Sequence, residues 1–152
     1  MARSRERFIN YGLILLTIAF VAFALLYDYQ RINAYGETLE EGGQKASYAL
    51  GAMLIYIFFN ICILGGGSAA IAIALFVSTK ILSKPNGKSK KSTVITILVF
   101  KIIGCALTVF GVYLAFSLAH ADWIMKVVYT LTAAAYLAAT AHSIICFKKI
   151  VQ

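Results

Sequence analysis

Four stretches of this chain carry little or no charge: Phe8 to Leu26, Ala46 to Thr79, Ser92 to Ala119 with Lys101 inside it, and Trp123 to Phe147 with Lys126 near its start. A helix needs about 20 apolar residues to cross a bilayer, so the first, third and fourth runs each fit one crossing. The second is too long for one crossing and short for two. It also holds three consecutive glycines, in "NICILGGGSAAIAIALFVSTK" from Asn60 to Lys80. In water such a run reads as a flexible linker, but here aliphatic residues flank it on both sides. A chain reversal at the glycines would leave Ser68 to Leu82 as a crossing. At the helical rise that piece reaches only about 22 Å, short of the roughly 30 Å hydrocarbon core. The pattern therefore predicts an all-α fold, a four-helix membrane bundle in a single transmembrane domain. Its helices are expected at approximately 8–30, 46–82, 92–119 and 123–148, with an outer loop at 31–45 and an inner basic loop at 83–91. The second helix is expected to be long, or broken at Gly65–Gly67.

Composition fixes the solvent. Hydrophobic residues make up 61% of the chain and charged residues 13%, whereas soluble proteins average about 25% charged. The mean hydropathy is +0.84. A formal charge of +8 on one soluble face would suggest nucleic acid as a partner, but the charge is spread along the chain. Arg3, Arg5 and Arg7 precede the first run, Lys80, Lys84, Lys88, Lys90 and Lys91 follow the second, and Lys148 and Lys149 close the chain; Asp28, Glu37, Glu40, Glu41 and Asp122 fall in the other two connections. Short loops rich in lysine and arginine face the cytoplasm. Both termini and the basic loop are thus expected there, with Lys84, Lys88, Lys90 and Lys91 against anionic lipid. A five-crossing arrangement fits the charges only slightly less well, and the shortness of the piece after the glycines decides against it. Aromatic residues mark the interfaces, Phe8, Tyr11 and Phe147 on the inner side and Tyr27, Tyr29, Tyr48 and Trp123 on the outer. The basic start and "AFA" at Ala22–Ala24 resemble a secretory signal, but the apolar run continues to Tyr27, so it reads as a signal anchor that becomes the first helix.

Small residues in membrane helices let backbones approach closely. Gly65, Gly66 and Gly67 are read first as a helix contact or kink, and otherwise as an unwound segment whose carbonyls hold an ion, or as a hairpin turn. Gly104, Thr108, Gly111 and Ala115 share one face of the third helix, and Ala134, Ala135, Ala138, Ala139 and Ala141 thin the fourth. Ionisable groups at membrane depth are functional candidates because they are costly there. Lys101 and His142 lie at comparable depth on the inner side, where they could share a polar cavity. The plainer reading lets Lys101 snorkel toward the headgroups and His142 hydrogen-bond to a neighbouring helix. With no carboxylate inside the runs, they make a poor proton relay. Asn60 is read as a helix-to-helix hydrogen bond.

Cys62 and Cys105 read as small buried hydrophobes. Cys146, beside Phe147 and Lys148 at the inner end of the last helix, stands where reversible S-acylation occurs. No metal-ligand spacing, phosphate loop, cofactor motif or nucleophile with its base is evident, so an enzyme is not expected. The closing stretch "YLAATAHSIICFKK", from about Tyr136 to Lys149, together with four helices and cytoplasmic ends, resembles MARVEL-type tetraspan membrane proteins. That resemblance implies a non-enzymatic organiser of membrane domains, vesicles or junctions, with the plasma membrane preferred over an organelle. The leading expectation is a scaffold or accessory subunit that binds lipids and other transmembrane helices, or itself as a homo-oligomer. Two alternatives stay open: a protomer of a small oligomeric channel or transporter, and a bacterial immunity protein against a pore-forming toxin.

Overall fold

The computed structural model describes residues 2–39, 50, 51, 53–55, 57–83, 90–117 and 123–151, and all the regular structure among them is helical. Helix α1 spans Ala2–Leu39. A π-helical segment, Phe59–Gly66, leads without interruption into α2, Gly67–Leu82. Helix α3 spans Lys90–Ser117, α4 spans Trp123–Ile145, and a short α5, Phe147–Val151, follows one residue later. Four stretches are long and apolar enough to cross a membrane: Ser4–Gln30, Met53–Leu82, Lys91–Ser117 and Trp123–Ile145. Each long helix packs against its neighbour in sequence, α4 closes onto α1, and α5 lies across the ends of α1 and α3.

Each helix buries a stripe set by its sequence. On α3 the buried positions are Val94, Ile97, Lys101, Gly104, Thr108, Gly111 and Ala115, alternating steps of three and four as in a coiled-coil seam. Helix α4 repeats the pattern with Met125, Tyr129, Thr132, Tyr136, Ala139 and Ser143, and α1 with Glu6, Asn10, Leu13, Thr17, Phe20, Ala24 and Asp28. The outward faces carry the large apolar groups: Phe8 is 81% exposed, Leu131 64% and Ile145 80%. Polar side chains thus point inward and apolar ones outward, which suits a bundle whose surroundings are lipid tails.

The helices depart from the expected bounds at α1. It begins at Ala2 and runs to Leu39, so Glu6 lies within the helix and residues 31–39 are not part of a loop. The sequence "QRINAYGETL" contains no proline and one glycine, so nothing in it forces the helix to stop.

The glycine run neither reverses nor unwinds. Gly66 and Gly67 have φ near −64° and −63°, and no described glycine has a positive φ. The helix instead widens by a π-type turn, one of the recognised sources of helix irregularity. A Cβ on Gly65 or Gly66 would meet only carbonyls of the same helix, Asn60 O at 3.5 Å and Ile61 O at 3.8 Å. Gly66 is exposed, so within this chain it makes no close helix contact, contrary to the expectation for it. Gly67 faces Leu107, with a Cβ position 3.1 Å from Cδ2. The tightest approach is at Gly104, whose Cβ would lie 2.3 Å from Cε1 of Tyr136.

Candidate functional site

Lys101 is fully buried on the α3 seam. From there its ammonium cannot snorkel to a headgroup region. It donates instead to Glu6 Oε1 of α1 at 2.6 Å and to Ser143 Oγ of α4 at 2.6 Å. The Ser143 hydroxyl lies 2.7 Å from the same carboxylate oxygen and 3.0 Å from the Ala139 carbonyl. It has one proton for those two acceptors while it accepts from Lys101. A buried charge is tolerated when an opposite charge and hydrogen bonds compensate it, and here one carboxylate ties α1, α3 and α4 together. The second oxygen, Glu6 Oε2, faces Nδ1 of His142 across 3.4 Å, and neither atom has a hydrogen bond. On the other side of the ring, Nε2 lies 3.7 Å from Cys146 Sγ. Nearby, Asn10 donates to Thr79 Oγ1 at 3.1 Å, joining α1 to α2.

Two further polar tiers lie along the axis, each about two to three helical turns from the last. In the middle, Tyr136 and Thr17 share a 2.6 Å hydroxyl contact, and Thr17 also donates to the Leu13 carbonyl. The Tyr136 ring lies over Gly104, where only a glycine leaves room for it. At the far end Asn60 donates to Asp28 Oδ2 at 2.7 Å and accepts from the Tyr129 hydroxyl. Apolar side chains fill the space between tiers: Leu13, Ile14, Ile97 and Ala139 on one side of the middle tier, Phe20 and Leu64 on the other.

A groove of about 290 Å³ runs along the seam between α1 and α4. Its floor is made of small and aliphatic residues, among them Gly12, Leu13, Leu16, Ala135 and Ala138, and His142 stands at its end. Among the described residues no three His, Cys, Asp or Glu side chains converge as a metal site would require.

No protein-family model, curated protein or solved structure matches this chain. Its four-helix architecture is consistent with a tetraspan, and no family match extends that to MARVEL-type proteins.

The structure brings Lys101 and His142 together on one carboxylate and places Asn60 in a different tier. Ala115 and Ala139 are buried, Ala135 is half-buried, and Gly111 would meet Leu64 at 3.3 Å and Tyr129 at 3.4 Å through an added Cβ. Cys62 is exposed on the outer face, not buried, and Cys105 is partly buried. Lys84 and Lys88 fall outside the described residues, while Lys91 is exposed. The expectation that no carboxylate serves the intramembrane lysine is overturned. The apolar run begins at Phe8 and fades at Tyr27, which leaves Glu6 and Asp28 outside it. The signal that could have found them is their spacing, since both fall on the same 3.5-residue stripe as Asn10 and Thr17.

Proposed function

We propose that this chain is a non-enzymatic tetraspan membrane protein that acts as a scaffold or accessory subunit, meeting lipids and other transmembrane helices through its outer faces. One observation carries the reading. The polar groups of the bundle face one another in separate tiers with apolar layers between them, which leaves aliphatic and aromatic surface as the part available to partners. Among the described residues such a core cross-links helices and forms no continuous polar path, as conduction through one protomer would need. The charge pattern supports cytoplasmic termini. The MARVEL-type resemblance of Tyr136 to Lys149 points to the same class of role.

Reconstitution tests this directly. Purified protein in liposomes is expected to pass potassium, chloride and protons no faster than empty vesicles. Photo-crosslinkers placed at the outward positions Phe8 and Leu131 are expected to capture transmembrane segments of other chains or of a second copy. Flux above the empty-vesicle level would replace the scaffold reading with the channel one.

A further inference from the structure

We propose that Cys146 is a self-acylating thiol, taking a long-chain acyl group from an acyl thioester, with His142 as its base, Glu6 as the positioning carboxylate and the α1–α4 groove as the berth for the chain. This inference rests on the scaffold reading and deepens it by giving the protein a covalent lipid at the end of the bundle that holds both termini.

Three side chains stand in the order such chemistry needs. Cys146 Sγ lies 3.7 Å from His142 Nε2, and His142 Nδ1 lies 3.4 Å from Glu6 Oε2. A nucleophile, a base and a group that orients the base form the general arrangement for covalent catalysis, and its distances are often loose before the substrate binds. Glu6 is almost wholly buried and Oε2 accepts no hydrogen bond, although Oε1 is held by Lys101 and Ser143. The free oxygen is thus fixed in place and turned toward the ring. The backbone also fixes the sulfur: the Cys146 N–H donates to the His142 carbonyl at 2.9 Å, and the Cys146 carbonyl accepts from Ile150 at 3.0 Å.

The surroundings select the donor. The groove ends at His142, one helical turn from Cys146, and is floored by Gly12, Leu16, Ala135 and Ala138. From Cys146 to Ala135 the helix advances about 16 Å, close to half of the roughly 30 Å hydrocarbon core, so an acyl chain on the sulfur would span one leaflet. Lys148 and Lys149 are exposed on the next turn, where they would meet the phosphates of a coenzyme A carrier.

The step balances. His142 Nε2 removes the thiol proton, and the Cys146 sulfur forms a bond to the acyl carbonyl carbon. The tetrahedral intermediate collapses as the carbon–sulfur bond to the carrier breaks, and the leaving thiolate takes the proton from His142. One thioester replaces another.

The test uses the full chain in detergent micelles with alkyne-tagged palmitoyl-coenzyme A at pH 7, reading hydroxylamine-sensitive label by peptide mass spectrometry. Cys146 is expected to carry the label, with Cys62 and Cys105 free. His142→Gln and Glu6→Gln are each expected to slow labelling at least tenfold. Ala138→Phe fills the groove and should lower the ratio of palmitoyl transfer to acetyl transfer from acetyl-coenzyme A. Equal labelling of all three cysteines, an unchanged rate in His142→Gln, or an unchanged palmitoyl-to-acetyl ratio in Ala138→Phe overturns the proposal. Micelles read the thiol chemistry alone, whereas liposome flux and crosslinking read the scaffold role, so each can fail without the other.

Discussion

Glu6 Oε1 receives both Lys101 and Ser143, so the energy of this contact belongs to a group of residues and not to a pair. Removing one member leaves a charge buried without its partner, at a cost of about 3 to 5 kcal/mol, whereas replacing both with apolar groups of similar volume is often neutral. Lys101→Met is therefore expected to destabilise the bundle strongly. Glu6→Leu combined with Lys101→Met should restore much of the loss. Reversible unfolding in mixed micelles across the double-mutant cycle measures this, and a double variant as unstable as the sum of the singles would show that the two side chains do not act together. At this scale the lysine was legible because Val94, Ile97, Lys101 and Gly104 share a stripe. Its carboxylate was not, because local hydropathy ends the first span at Phe8, and only packing against α3 and α4 draws the helix start inward.

Helix α3 meets α4 most closely where the Gly104 backbone faces the Tyr136 ring. That ring is almost wholly buried and tethered to Thr17 through its hydroxyl, so it cannot swing aside. Gly104→Ala is expected to cost about 1 to 3 kcal/mol, the range for overpacking a tight contact. Gly66→Ala should behave oppositely. Gly66 is exposed and helical with only its own helix nearby, so losing backbone freedom in the unfolded chain stabilises it by roughly 0.4 to 1 kcal/mol. Thermal midpoints of the two variants should move in opposite directions, and a fall for both would mean that Gly66 serves a contact outside this chain. The small residues of α3 were readable from sequence because their spacing matched a seam. The glycine triplet was only partly legible, because composition alone does not say which face a residue occupies: Gly67 meets Leu107 while Gly66 is exposed.

The whole molecule has polar groups within and apolar groups without, with basic residues near the end where both termini lie. We propose, from the positive-inside pattern, that this end faces the cytoplasm. Single cysteines at Ser4 and Gly42, introduced into a cysteine-free background, test this with an impermeant thiol reagent on intact cells. The one at Gly42 should react and the one at Ser4 should be protected; the reverse result would turn the bundle over. Four helices long and apolar enough to cross a bilayer were legible because the bilayer sets the length of an apolar run. The three polar tiers were not, since each joins residues far apart in the chain, such as Glu6 with Ser143 or Asp28 with Tyr129.

The π-helical turn at Phe59–Gly66 also bears on how this chain can change length over generations. Each residue added to or removed from an α-helix rotates everything beyond it by about 100° relative to the part before it. A deletion inside α2, at Ala74 for example, would swing Asn60 and Met53 off the seam and break the hydrogen bond from Asn60 to Asp28. A π turn already contains more residues than an α turn, so it can lose one and relax to the ordinary pitch with both flanks still facing inward. Deletion of Cys62 should consequently leave a folded protein with a near-normal melting point, while deletion of Ala74 should not. The wide turn is the place where this span has slack, and length variation between related chains is expected to collect there.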